Sequence, residues 1–387
     1  MEAALSRLAD LDLTEEQQNF GRAVRDFCER ELGPERVREL TDGFEDLHDE
    51  RVARRMADLG WYGVAIDEQY GGSGGGLLEA CLLLEETARA EAPIGAYPVT
   101  LIVVGALNRF GSDEQKRRLL GHVAEGGALA IAMSEPEAGS DVGALSTRAE
   151  RSDGEWVLNG AKTWCSYAHK AREILIVCRS DRGGSKHEGL SMILVPRDAV
   201  GLTLTPIGTL GGRETNEIHL EGCRVPADAL LGEEGGGWSQ LMAGLNTERV
   251  ILAASALGLA QRAFDEALAY AGERRQFGRP IASFQATQHK LADLASELVQ
   301  ARLLVRSVAR MADAAPDRTL PQEASIAKLA CTELAKRCAL EGMQIMGGYG
   351  YATEYPMERL LRSAVVTTIF GGTSEIQKNI IAKTLGM

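Results

Sequence analysis

The chain has 387 residues, 45% of them hydrophobic and 25% charged, an ordinary globular balance with length for two or three domains. This excludes a disordered chain, a collagen-like repeat and a disulfide-stapled miniprotein. Asp and Glu outnumber Lys and Arg by 55 to 42, a formal net charge of −13; such a surface repels phosphate backbones, so nucleic acid is not an expected partner.

The first part of the chain reads as helical. Thr14 and Gln17 form a capping box, and Ser112 and Gln115 repeat that signal before a Lys/Arg-rich helix. Residues 79–90 have helical composition, and 71–76 are a glycine-rich connection. The pattern changes near Gly126. Short β-type runs at 156–158, 174–178, 190–195, 202–207 and 217–220 are separated by Asp-Gly, Asn-Gly, Gly-Gly and Pro-containing turns. Their even spacing, with no long helical pattern between them, predicts a small antiparallel β-domain rather than a βαβ sheet. Helix returns from about Trp238. Leu291, Leu294, Leu298, Ala301 and Val305 step by three and four along one stripe. Pro316 and Pro321 separate that helix from one over 323–346, and a last helix begins near Ser374. The predicted organisation is a helical domain over 1–125, a β-domain over 126–232 and a second helical domain over 233–387.

The seven cysteines include no C-x-x-C, and the six histidines no H-E-x-x-H. The expectation is a reduced, cytoplasmic protein without structural metal. Met1 to Thr14 alternates charged and apolar residues and shows no signal-peptide core. No apolar run approaches the length of about 20 residues that a membrane span needs.

Gly71-Gly72-Ser73-Gly74-Gly75 matches the G-x-S-x-G of a serine hydrolase elbow, but an elbow needs a strand before it and a helix after it in an α/β sheet. No G-x-G-x-x-G joins a strand to a helix, and no Walker A pattern occurs, which argues against a Rossmann nicotinamide site. Ser134-Glu135-Pro136-Glu137-Ala138-Gly139-Ser140-Asp141 is more specific. A small-residue turn with two hydroxyls can bring backbone N–H groups against a planar ligand or a phosphate, although alone it is equally a surface turn. Arg274-Arg275-Gln276-Phe277-Gly278 ends one helix, Gln344-Ile345-Met346-Gly347-Gly348-Tyr349-Gly350-Tyr351 ends another, and Ile369-Phe370-Gly371-Gly372-Thr373-Ser374-Glu375-Ile376-Gln377 opens the last. Helix C-caps alone would explain glycine at two of these places.

Taken together, with Gln285 inside Phe284-Gln285-Ala286-Thr287-Gln288, these blocks resemble those of the acyl-CoA dehydrogenase family of flavoproteins, essentially from end to end. The resemblance implies an α+β fold with an N-terminal helical domain, a middle antiparallel β-domain and a C-terminal four-helix bundle. It implies FAD as cofactor, and a homotetramer built as a dimer of dimers in which each FAD touches a neighbouring subunit. By position it puts Ser134 and Ser140 on the flavin side of the middle domain and Trp164 and Ser166 beside the isoalloxazine ring. Arg274 would meet the pyrophosphate, with Phe277 and Gln285 next to it, and Gln344, Gly348, Thr373 and Glu375 would complete the cofactor site. Ser134 stands where many members have Thr, and Glu137 where many have Gly.

One departure bears on the chemistry. Many members carry the catalytic glutamate directly before the glycine of G-T-S-E, and that position is Gly371 here. Leu241, Leu245, Glu248, Leu252, Ala256 and Leu259 trace one apolar helix face, so Glu248 is expected to be buried. A buried carboxylate is costly unless it is paired or its pKa rises, and Arg249, adjacent in sequence, does not face it along the helix. A structural ion pair with an arginine from another element and a general base in an apolar pocket are the two readings. The resemblance favours the base, because the Glu248-Arg249 segment is similar to that of the long-chain and isovaleryl-CoA dehydrogenases, which have a small residue at the position of Gly371. It implies α,β-dehydrogenation of an acyl-CoA thioester to a trans-2-enoyl-CoA, with Glu248 removing the α-proton and the β-hydrogen passing as hydride to flavin N5. The thioester carbonyl would be held by the ribityl chain and the Gly371 N–H. Ser140, Asn246 and Arg249 match positions near CoA, and an electron-transfer flavoprotein is the implied acceptor. A catalytically silent FAD-binding subunit of a hetero-oligomer and an acyl-CoA oxidase-like flavoenzyme are the alternatives. Placement of the base does not fix the length or branching of the acyl chain.

Overall fold

Thr14 starts the first helix as the capping box requires. Its hydroxyl accepts the Gln17 N–H at 3.2 Å, and the Gln17 side chain takes the Thr14 N–H at 3.1 Å. The computed structural model describes residues 13–41, 43, 45–181 and 185–387; the reading of the N-terminal stretch lies outside them except at Leu13 and Thr14. Helices α1 (Glu15–Glu31), α2 (Pro34–Leu40), α3 (Glu50–Asp58), α4 (Leu77–Arg89), α5 (Ala96–Phe110) and α6 (Asp113–Ala124) come first. Ser112 and Gln115 form the second capping box, at α6. The amides that open α4 are satisfied from far along the chain, because the Asp313 carboxylate accepts from Leu77 N–H at 2.7 Å and Leu78 N–H at 3.0 Å.

All five predicted strand runs are present. Strands β1 (Ala130–Ala132), β2 (Arg148–Ser152), β3 (Glu155–Ser166), β4 (Glu173–Arg179), β5 (Leu190–Pro196), β6 (Leu202–Thr209), β7 (Gly212–Pro226) and β8 (Leu230–Leu231) form one sheet in the order β6-β7-β3-β2-β4-β5-β8, with β1 on β4. Pairing is antiparallel except at β4, which β1 joins in parallel with Ala130 opposite Ile174, and which β2 meets in parallel at Arg179. No tight turn joins β4 to either strand, so nothing forces the antiparallel arrangement there. β4 and β5 read as unbroken apolar runs because both of their faces are covered. Leu175, Val177, Met192 and Leu194 join a core with Val103 and Leu107 of α5 and Leu119 and Leu120 of α6. Ile174, Ile176, Ile193 and Val195 join a second core with Trp156 and Leu158 of β3 and Ile218 of β7.

The remainder is helical: α7 (Gly237–Glu273), a hairpin of β9 (Arg275–Gln276) and β10 (Arg279–Pro280), then α8 (Gln285–Ala314), α9 (Pro321–Met346), α10 (Gly348–Tyr351), α11 (Met357–Thr367) and α12 (Ser374–Thr384). The stripe from Leu291 to Val305 is the buried face of α8. By packing, the chain divides into a helical unit, Met1–Glu39 with Leu77–Ala92 and Arg249–Met387, and a sheet-containing unit, Leu40–Gly76 with Pro93–Glu248. The division falls inside α7, directly after Glu248. All seven cysteines are buried and free. Among the described residues no helix is long and apolar enough to cross a membrane, and no group of three His, Cys, Asp or Glu side chains could hold a metal ion.

Removing the shared cap should be felt in the helical unit. Asp313→Ala is expected to lower unfolding free energy by about 1–2 kcal/mol, read by urea titration, with Asp313→Asn losing less because an acceptor remains. Equal losses in the two variants would show that capping is not what Asp313 contributes.

Candidate active site

The Ser134 to Asp141 block leaves β1 and folds back on itself, with Glu135 and Ala138 exchanging both backbone hydrogen bonds at 3.0 Å. A buried ion pair lies beneath it. Lys162 Nζ, on β3, donates to Glu135 Oε1 at 2.7 Å and to the Met133 carbonyl at 3.0 Å. The lysine side chain is fully buried and the glutamate 5% exposed. Glu135 also accepts from the Ser146 N–H at 2.6 Å, the Ser146 hydroxyl at 2.8 Å and the Thr147 N–H at 2.9 Å. Burial by itself would raise the Glu135 carboxyl, but the Lys162 charge and these hydrogen bonds outweigh it and lower the group to about 2.

Two residues beyond Lys162 the strand is interrupted. β3 and β7 pair Lys162 with Ile218 and Cys165 with Asn216, so β3 carries one extra residue across that step. A bulge of this kind re-aims the side chains next to it. The alternation that turns Trp156, Leu158 and Lys162 inward would also bury Trp164; instead Trp164 takes φ +59 and stands 62% exposed. Backbone is held on both sides of it. Thr163 N–H donates to the Ser134 carbonyl at 2.9 Å, and the Asn216 side-chain amide donates to the Cys165 carbonyl at 3.1 Å. Ser134 and Ser166 are half-buried and Ser140 is exposed. In the same unit the start of α7 is anchored by Leu241, buried with the α5 and α6 residues, with Met242 and Leu245 packed beside it. Asn246 is half-buried a turn further on. Glu248 is 4% exposed, the burial that the apolar face of α7 predicted, and Arg249 is 8% exposed.

In the helical unit, ring contacts bring several of the sequence-predicted residues together. The Arg274 guanidinium lies 5.5 Å from the Tyr349 ring centroid, which joins it to the Gly348 segment. Phe277, on the β9–β10 hairpin, has φ +51 and is 94% exposed; its ring meets Phe284, just before Gln285, edge-on at 6.1 Å. Gln285, Gln344 and Gly348 are exposed. Gly371 and Gly372 take φ +59 and +82 in succession, a path that glycine enters at little cost. Thr373 then caps α12 through Ile376 N–H at 3.3 Å, with Glu375 exposed in the first turn. The carbonyls of this turn point inward. Lys328 Nζ, on α9, donates to the Thr367 carbonyl at 2.8 Å and the Gly372 carbonyl at 2.9 Å, and the Gln377 amide donates to those of Gly371 and Gly372 at 3.1 and 2.8 Å. A trans peptide points its N–H opposite its C=O, so the N–H groups of Gly372 and Thr373 face away from this anchor.

Glu135, Lys162, Lys328 and Gln377 are the residues that sequence reasoning missed. Two left a signal. Lys162 continues the inward positions of Trp156 and Leu158, and Lys328 sits in the buried stripe of Ala324, Ala327, Cys331 and Ala335. The hydrolase-like Gly71–Gly75 stretch follows a single 3₁₀ turn rather than a strand, and its Ser73 hydroxyl donates to the Gly60 carbonyl at 2.7 Å.

The acyl-CoA dehydrogenase N-terminal domain matches residues 14–127, the middle domain 130–223 and the C-terminal domain 235–386. The chain belongs to the acyl-CoA dehydrogenase family. A probable acyl-CoA dehydrogenase of Bacillus subtilis is 40% identical over 382 residues, 97% of this chain and 99% of that protein. The crystal structure of an acyl-CoA dehydrogenase from Geobacillus kaustophilus matches with a TM-score of 0.90 at 32% identity, covering 97% of this chain and all (100%) of that one. A glutaryl-CoA dehydrogenase from Mycobacterium smegmatis in complex with FADH2 matches with a TM-score of 0.87 at 28% identity, covering 98% and 96%. The fold is therefore α+β of the acyl-CoA dehydrogenase type, the activity is an acyl-CoA dehydrogenase's oxidoreduction, and the cofactor is FAD. The residues fit that cofactor. An indole left exposed by a strand bulge suits a flat heteroaromatic ring, and an exposed arginine beside a tyrosine ring suits a pyrophosphate.

The Glu135–Lys162 pair has a definite acid signature. A carboxyl lowered to about 2 from an ordinary 4.5 contributes its full stability above 4.5 and loses it as pH falls toward 2. Glu135→Gln should cost about 3–5 kcal/mol at neutral pH, the range for breaking a buried pair. The gap in thermal midpoint between wild type and variant should stay constant above pH 4.5 and narrow below it; a gap that ignores pH in that window would contradict the ionised pair.

Proposed function

We propose that this acyl-CoA dehydrogenase uses Glu248 as the base that removes the α-proton of an acyl-CoA thioester, giving a trans-2-enoyl-CoA. One observation carries the reading: the position before G-T-S-E is a glycine at φ +59, while a glutamate 4% exposed lies on the apolar face of α7. The Glu248 carboxylate accepts the proton. The backbone N–H of Gly371, at the head of the turn that Lys328 and Gln377 anchor, polarises the thioester carbonyl as negative charge develops on its oxygen. Ser140, Asn246 and Arg249 hold the CoA portion. Ser134, Ser166 and Trp164 in one unit, and Arg274, Phe277, Gln285, Gln344, Gly348, Thr373 and Glu375 in the other, hold the cofactor. FAD, when bound, supplies the acceptor for the β-hydrogen and passes electrons on to an electron-transfer flavoprotein. The assembly is a homotetramer, a reading supported by Phe277 and Tyr351, 94% and 80% exposed, which as large aromatic side chains suit burial against a second copy.

Anaerobic mixing of the purified protein with a panel of acyl-CoA thioesters tests this through the flavin absorbance. Wild type should bleach with at least one member, and Glu248→Gln should bleach about 10²- to 10⁴-fold more slowly with the same one, the usual loss when a general base is removed. Equal rates would refute Glu248 as the base. A wild type that bleaches with no thioester, yet keeps its FAD, would point to the silent subunit.

A further inference from the structure

The buried pair Glu135–Lys162 has no part in the proton transfer, yet it lies at the junction of every segment of the sheet-containing unit that is assigned to the flavin. We propose that it is a positioning clamp, fixing the Ser134 turn and the Trp164 bulge in the one geometry against which the isoalloxazine ring lies. The proposal rests on the placement of Ser134 and Trp164 beside the flavin given above.

Three segments converge on the clamp. Lys162 holds the Met133 carbonyl and the Glu135 carboxylate, and next to it Thr163 N–H holds the Ser134 carbonyl. The second carboxylate oxygen of Glu135 takes both the N–H and the hydroxyl of Ser146. Glu135 therefore closes the loop that carries Ser140 as well as tying it to β3. Two residues on, Trp164 sits at φ +59. A bulky residue keeps such a backbone only where the surroundings over-determine it, and the clamp before it and the Asn216 bond after it are what does so. Stability alone is a poor explanation for the pair. Exchange of a buried ion pair for uncharged residues of similar volume is often neutral or better for the fold, so what the charges add is direction and register.

The test compares three variants with the wild-type holoprotein. Glu135→Gln/Lys162→Met removes both charges together and leaves no lone buried ion. Ser146→Ala deletes one hydrogen bond to Glu135 from an exposed residue. Trp164→Ala checks the placement itself. Each is read by FAD dissociation on dilution, by the visible circular dichroism of the bound flavin and by thermal midpoint. The double variant should keep a midpoint close to wild type but bind FAD about 10- to 100-fold more weakly, the loss seen when groups that orient a site's direct ligands are removed, with an altered dichroic signal. Ser146→Ala should change the same two flavin readouts in the same direction by less. A folded double variant with wild-type FAD affinity and dichroism would overturn the clamp. If the double variant does not fold, unchanged flavin readouts in Ser146→Ala overturn it. Unchanged dichroism in Trp164→Ala would show instead that Trp164 does not border the flavin, which removes the premise.

Discussion

The contact between the Lys162 ammonium and the Glu135 carboxylate, 2.7 Å long with side chains 0% and 5% exposed, is what allows a polar loop to stand on an apolar sheet. The loop from Ser134 to Thr147 is also held by Ala138 and Leu145 in the core and by Arg179 on the Gly143 carbonyl, but the pair is what ties its two ends to each other and to β3. The helical unit repeats the device with different chemistry. There Lys328 is buried on α9 and grips the carbonyls of Thr367 and Gly372, and Gln377 grips those of Gly371 and Gly372. In both places a buried donor helps decide which way exposed backbone and side chains point. Such anchors cost desolvation, and that cost is recovered only when all their bonds are made.

The Gly371 turn also bears on the proposal that Glu248 is the base. A glutamate placed there would have to adopt a left-handed backbone at φ +59, or else the turn would open and the Lys328 and Gln377 bonds with it. Glycine accepts the conformation and gives up the carboxylate. On α7 the constraint is of another kind. Glu248 follows a turn anchored in the core by Leu241 and precedes the buried run of Val250, Ile251, Leu252, Ala253 and Ala254, so its Cα is fixed by regular helix and only its side-chain torsions are free. A carboxylate carried on a rigid helix is more sharply placed than one on a loop.

Much of this was legible beforehand. Both capping boxes, the five strand runs and the α8 stripe follow from spacing alone, because each is a local pattern with a short-range cause. The burial of Glu248 follows from steps of three and four on one helix. The parallel contacts of β4 were not legible, since strand order is set by which faces need covering and not by any residue in the strands. The exposure of Trp164 was hidden for a related reason: strict alternation would bury it, and the extra residue that turns it outward is visible only against the register of β7. Glu135 and Gln377 stood in blocks already singled out, but a block of residues in sequence does not say which of them turn inward to hold the others.

The charge balance falls into place on the same terms. A chain with a net charge of −13 is a poor general partner for an anionic cofactor and an anionic thioester, and long-range attraction cannot bring either to it. Recognition therefore has to be local. The Arg274 guanidinium lies against the Tyr349 ring on an exposed stretch of chain, and the proposed pyrophosphate contact asks no more of it than that. Exposed charges are screened by salt within about 10 Å at ordinary ionic strength. A single anchored cation can thus act locally within an acidic protein.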